Sequence, residues 1–333
     1  MTSANAANRL IAHYLGTARR LPWRRLPGQG APDPYAVWLS EVMLQQTTVA
    51  AVAPRFERFL DRWPTIEALA AAPDEEILSE WAGLGYYARA RNLIACAREV
   101  ARLGRFPETE AELRRLPGIG DYTAAAVAAI AFGERTAVVD TNVRRVVARL
   151  KGAVAPSDAD IRAWVLAMTP AERPGDLAQA MMDLGATICR PKGPLCGQCP
   201  LVSHCLAATS GDPERFPAPK LKSSRPQRFG TVYWIERQDC VWLVRRPPSG
   251  LLGGMAALPG SDWNDAPSTQ PPLARVRHVF THFALDLAVV AAAEPGGEGW
   301  WQPLDAIDQA GLPTLYRKAV DAVLASAERR AAA

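Results

Sequence analysis

The chain has 333 residues, enough for two domains with separate hydrophobic cores. Hydrophobic residues make up 49% of it, yet no run approaches the roughly 18 consecutive apolar residues of a membrane span. The N-terminus has neither the basic region nor the apolar stretch of a signal peptide, so a cytoplasmic protein without a membrane partner is expected. A formal net charge of +4 permits a polyanionic partner without demanding one. Of the 38 basic residues five are Lys, the first of them Lys151, so the first 150 residues carry positive charge as Arg alone.

Residues 1–212 read as a run of helices, with apolar residues three and four apart and breaks at Pro and Gly. Asp33 followed by Pro34 and an apolar periodic run marks a strong helix start. Further helices are predicted near 49–61, 74–82, 87–103, 109–115, 121–132 and 141–150, with others between 158 and 187. Residues 213–229 have a linker composition: Arg215 to Arg228 holds five basic residues, three prolines and no acid. From 230 to 333 the pattern turns α+β. The runs TVYWIE and CVWLVRR flank a polar turn at Arg237-Gln238-Asp239 and read as a hairpin. A second hairpin-like pair is Ala274–Phe280 with Phe283–Ala292, and a helix from about Pro313 to Ala327 closes the chain.

Three local patterns carry chemistry. In LPGIG, Gly118 and Gly120 allow a tight turn and bring backbone N–H groups close to a phosphate at the start of the next helix. The string resembles a DNA-binding helix-hairpin-helix, against the plainer reading of a Gly turn between helices. Asp140, about twenty residues on, precedes a helical run and suits an N-cap, where its carboxylate stays ionised. The cysteines Cys189, Cys196, Cys199 and Cys205 have six, two and five residues between them. In a chain without an export signal such clustering indicates a metal site, and four thiolates suit zinc as well as iron–sulfur.

Together with LPWR, PYAVWLSEVMLQQTTVA, GLGYYARARNL, QAMMDLGATIC and RPPSGLLGG, these patterns resemble the helix-hairpin-helix, iron–sulfur DNA glycosylases, and within them the MutY family of adenine glycosylases, from about residue 20 to residue 254. The resemblance implies an all-α N-terminal glycosylase domain, a six-helix module plus an iron–sulfur module, joined to an α+β Nudix/MutT-like C-terminal domain. It implies a [4Fe–4S] cluster on the four cysteines and a double-stranded DNA partner with adenine opposite 8-oxoguanine or guanine, bound by a monomer. It implies that Asp140 lies at the mouth of the base pocket and that Glu41 donates a proton to adenine. Beside Trp38, Val42 and Leu44, Glu41 should be partly desolvated and its pKa raised. Tyr122 occupies the position where bifunctional relatives carry a Schiff-base Lys, so no lyase step is expected. Tyr122 and Asn142 are expected to orient Asp140 or the substrate.

By the same resemblance Gln45, Gln46, Tyr86, Arg89 and Arg91 contact DNA, Gln46 and Tyr86 as wedges beside the lesion. Phe280, Thr281 and His282 stand where the family reads 8-oxoguanine with Phe-Ser-His. Active Nudix hydrolases need several Glu on one helix, whereas residues 255–275 hold only Asp262 and Asp265 as acids, so pyrophosphate hydrolysis is not expected. The rival reading within the superfamily is a G:T mismatch or pyrimidine glycosylase, which Glu41 and the C-terminal domain argue against. A non-catalytic DNA-binding protein is argued against by the presence of both Glu41 and Asp140.

Overall fold

The computed structural model describes residues 3–218, 225–247, 250–264, 266–280 and 282–331. Thr281 therefore lies outside the described residues. The chain divides into two compact units, Met1–Ala72 with Arg91–Leu221 and Pro73–Ala90 with Lys222–Ala333.

The first unit is helical. It contains α1 (Ser3–Thr17), α2 (Pro34–Leu44), α3 (Val49–Arg62) and α4 (Ile66–Ala71), and the part of α6 (Ala88–Leu103) from Arg91 onward. It continues with α7 (Glu110–Leu113), α8 (Asp121–Ala131), α9 (Thr141–Leu150), α10 (Asp158–Met168), α11 (Pro174–Thr187) and α12 (Leu206–Thr209). The Asp33-Pro34 signal acts as expected: Asp33 caps α2 by accepting from the Tyr35 N–H at 3.1 Å, and Pro34 opens the helix. Three helices, α1, α4 and the four-residue α12, had no separate expectation. In α1, Ala6, Ala7, Leu10, Ile11 and Tyr14 form one buried stripe against α9, α10 and α11. α4 is six residues long, too short to show a period.

Two helices bear on the site. α2 is buried almost all round, through Tyr35, Val37, Trp38, Leu39, Ser40, Glu41, Val42 and Met43, and packs on α8. α8 is rich in Ala and presents Ala125, Ala126 and Ala129 at 0–1% exposure. A Cβ on Gly175 of α11 would come within 2.6 Å of the Ala129 carbonyl oxygen, so small residues on both sides let α8 and α11 approach closely.

The second unit contains α5 (Asp74–Glu80) and an α+β body. Its strands are β1 (Gln227–Trp234), β2 (Glu236–Arg237), β3 (Cys240–Arg245), β4 (Ala256–Ala257), β5 (Ala274–Val279), β6 (Ala284–Ala291) and β7 (Trp300–Pro303). The helix α13 (Thr314–Ala331) follows. One sheet has the order β1-β6-β5, parallel between β1 and β6 and antiparallel between β6 and β5. In the other, β3 pairs with β2, β4 and β7. Val232, Leu243, Leu285, Leu287 and Val289 from the sheets meet Leu315, Tyr316, Ala319 and Val320 of α13 in one core.

The β5–β6 hairpin is as expected. The first hairpin is shorter than the runs suggest: only Glu236 and Arg237 of β2 pair with β3 across the turn, around Gln238 (φ 49°) and Asp239 (φ 57°), both left-handed as a tight hairpin turn requires. The TVYW part of TVYWIE instead belongs to β1 and pairs along β6, fifty-odd residues away. Strand partners are chosen by which apolar faces fill the core, so a local turn signal does not extend to the whole run.

Candidate active site

The first unit encloses a cavity of about 1030 Å³ whose walls include Glu41, Gln45, Gln46, Gly118, Gly120, Tyr122, Asp140 and Asn142. α2 delivers Glu41. As α2 is surrounded by protein, the carboxyl is 6% exposed, and burial lifts its pKa from the ordinary 4.5 to about 7. A hydrogen bond from the Tyr122 hydroxyl to Glu41 Oε2, 2.7 Å long, and the charge of Arg24 pull the other way, while Asp140 pushes it up further. Tyr122, on the first turn of α8, is itself held far above an ordinary phenol by burial and by the acids beside it. Tyr122 thus donates to Glu41, and of the two residues expected to orient Asp140 it is Asn142 that donates to it.

Asp140 is the N-cap of α9. Oδ1 accepts from the Val143 N–H at 2.6 Å, and Oδ2 accepts from Asn142 Nδ2 at 2.9 Å. Behind it, Arg145 donates to Asn142 Oδ1 (2.9 Å), to the Gly185 carbonyl (2.7 Å) and to the Cys189 carbonyl (2.8 Å). A line of hydrogen bonds therefore runs from the cysteine loop to the aspartate. Gly185 makes it fit, as a Cβ there would stand 2.5 Å from Asn142 Cβ.

The hairpin joins α7 to α8. Gly118 has φ +71°, and a Cβ on it would meet Asn92 Cβ at 2.4 Å, so only Gly fits. Gly120, the N-cap of α8, has an ordinary φ of −89°, and a Cβ would meet nothing within 4 Å. The chain itself does not require Gly at 120, which leaves open space before a helix N-terminus. Gln45 caps the other end of α2 and donates to Thr123 Oγ1 at 3.1 Å. Gln46 is exposed and left-handed, φ 56°.

Four residues with no role assigned from sequence, Arg19, Arg24, Asp183 and Arg145, line or support the same cavity. Arg19 and Arg24 lie in its wall, and both bind the Asp183 carboxylate at 2.6 Å. Arg24 is the last residue of the LPWR string, but Asp183 lies 159 residues further along, a separation no local pattern spans. Arg145 had a local signal, its three-residue spacing from Asn142 on one helix face.

Residues 39–166 match the HhH-GPD superfamily base excision DNA repair protein, and residues 231–322 match the NUDIX domain. An adenine DNA glycosylase of Mus musculus is 34% identical in an alignment covering 93% of this chain and 76% of that protein. One from Mycolicibacterium smegmatis is 43% identical, over 66% of this chain and 73% of its own length. The chain belongs to the adenine DNA glycosylase family. Among solved structures, a thermostable thymine-DNA glycosylase is similar with a TM-score of 0.57 and 28% identity, covering 62% of this chain and 97% of that one.

The remaining family positions are placed as follows. Cys189, Cys196, Cys199 and Cys205 are free thiols around one small cavity, with Ile188, Pro194, Val202 and Ala208 between them. Among the described residues no set of three or more potential ligands is drawn into a closed metal-binding arrangement. The donor set nonetheless suits a soft metal centre: four sulfurs, an apolar lining, and the buried guanidinium of Arg149 on Cys189 Sγ at 3.4 Å. Arg91 is half-buried on α6. In the second unit, Tyr86 is 50% exposed with φ 48°, and Arg89 stands over its ring at 5.5 Å while donating to the Leu84 carbonyl. At the β5–β6 turn the Phe280 N–H donates to the Phe283 carbonyl at 2.9 Å, which leaves His282 exposed at the tip. Phe280 stacks on Trp263 with ring centres 5.4 Å apart.

Proposed function

We propose that the chain is a monofunctional adenine DNA glycosylase that hydrolyses the N-glycosidic bond of adenine opposite 8-oxoguanine or guanine in duplex DNA. The observation that carries this reading is the buried Glu41 carboxyl, bonded to Tyr122 in a cavity it shares with Asp140. Adenine is a poor leaving group. A proton passed from Glu41 to adenine N7 lets the bonding pair leave with the base while positive charge develops on the sugar. The Asp140 carboxylate, fixed by the Val143 and Asn142 donors, stabilises that cation until water adds. A phenol at position 122 forms no imine, and Lys is absent before Lys151, so the product is an intact abasic strand.

In this reading the open space at Gly120 and the α8 N-terminus take a DNA phosphate. Gln46 and Tyr86 enter the stack, with Gln45, Arg89 and Arg91 on the same DNA. The four cysteines hold a [4Fe–4S] cluster, whose part when bound is to cross-link the loop. Phe280, Thr281 and His282 read 8-oxoguanine, and the enzyme acts as a cytoplasmic monomer. A thymine or pyrimidine glycosylase is disfavoured, because the thymine enzyme's likeness spans 62% of this chain whereas the mouse adenine enzyme aligns over 93%.

The test is to incubate labelled duplexes bearing A opposite 8-oxoguanine, A opposite G, G:T and a damaged pyrimidine, then cleave abasic sites with alkali. Excision confined to adenine is the expected result. Excision of thymine or of damaged pyrimidine instead would overturn the reading.

A further inference from the structure

Arg149, in the last turn of α9, is 2% exposed, and its charge is unused by the chemistry above. Nη1 donates to Cys189 Sγ at 3.4 Å and to the Arg190 carbonyl at 2.7 Å. Nη2 donates to the Pro191 carbonyl and Nε to the Phe216 carbonyl, each at 3.0 Å. The Arg149 carbonyl in turn accepts from the Cys205 thiol at 3.5 Å. One residue therefore touches two of the four sulfurs, two carbonyls of the cysteine loop, and the point where the helical chain leaves toward the basic segment. Its acceptors are neutral carbonyls and one sulfur, and among the described residues no carboxylate pairs with it. A guanidinium removed from water without a counter-charge costs several kcal/mol, so this placement calls for negative charge nearby. Thiolate ligation of a soft metal by these cysteines would bring that charge to Cys189 Sγ, 3.4 Å away.

We infer that Arg149 is the positioning residue of the four-cysteine centre: it balances the negative charge of a thiolate-ligated cluster and clamps the loop at Arg190 and Pro191 to the exit segment at Phe216. The inference rests on the reading that these cysteines hold an iron–sulfur cluster. Lys at this position would keep the charge on a flexible stem but lose the planar fork that serves four acceptors at once. Met would lose both. Outer partners of this kind commonly change metal retention by about 10–100-fold.

The experiment compares the full chain with Arg149→Lys and Arg149→Met, measuring iron per chain, visible absorption, release of iron to a chelator and the reduction potential. Both variants are expected to release iron faster than the unmodified chain, Arg149→Met by about tenfold or more. The cluster that remains in Arg149→Met should have a more negative potential, since loss of a positive charge and an N–H···S donor disfavours the added electron. Arg149→Lys should keep its potential near the unmodified value, a split that a merely structural role would not produce. If Arg149→Met does not accumulate as folded protein, the release rate and potential of Arg149→Lys decide. Release rates and potentials equal to those of the unmodified chain would overturn the inference. An unmodified chain that is colourless and free of iron would instead overturn the cluster reading beneath it.

Discussion

Removing the Glu41 carboxyl from water raises its pKa from 4.5 to about 7, and the proposed chemistry uses the protonated form. Excision should therefore fall about tenfold per pH unit above roughly 7, in single-turnover rates that exclude product release. Tyr122→Phe removes a donor that favours the ionised form. The alkaline limb should then move upward, by roughly one pH unit for a hydrogen bond to a charged group. Glu41→Gln should abolish excision yet retain duplex binding, because the amide keeps the shape without the proton. The same substitution bears on stability. Since the folded pKa lies above the unfolded one, stability is complete below about 4.5 and is lost as pH rises through 7. Gln does not ionise, so at pH 8 Glu41→Gln should be the more stable protein by up to roughly 3 kcal/mol. Denaturant unfolding at pH 5 and pH 8 checks this, and a gap that does not grow with pH would contradict the burial argument.

At the scale of elements, the N-terminus of α9 does two jobs with one side chain, capping the helix and holding a carboxylate to the cavity. Asn caps as well as Asp, whereas Ala does not. Asp140→Asn should then keep its unfolding midpoint while losing about 10²–10³-fold in rate, and Asp140→Ala should lose the rate and about 1 kcal/mol as well. Gly185→Ala probes the contact behind it: a Cβ 2.5 Å from Asn142 Cβ must shift the first turn of α9. About 1–3 kcal/mol of stability should go, together with excision. The hairpin glycines separate in the same manner. Gly118→Ala should unfold readily against Asn92, and Gly120→Ala should fold normally but bind duplex DNA less tightly. Local chemistry made much of this readable from sequence: Asp33 and Pro34 announce α2, and an acid before VRRVVARL announces α9. What was not readable depends on distant partners. The pairing of β1 with β6, the Arg24–Asp183 pair and the direction of the Tyr122 hydroxyl are each settled by packing between segments far apart in the chain.

Across the whole molecule, the proposed function gives chemistry to residues 1–212 and lesion reading to residues 280–282. Thr281→Ala with His282→Ala in the full chain should leave excision opposite guanine near its starting rate and reduce the preference for 8-oxoguanine several-fold. Equal preference in both proteins would move discrimination elsewhere. Borohydride should trap little covalent complex, as the first 150 residues offer no Lys to form it. Gln46 and Tyr86 have a further consequence. Each holds a left-handed backbone that costs a non-glycine residue about 1–2 kcal/mol, so the surrounding fold has to impose it. Under the assignment of both as wedges, a side chain on a backbone fixed by the fold spends less ordering entropy on entering the stack. Glycine at either position would relax the backbone but leave the searching protein with a blunt probe.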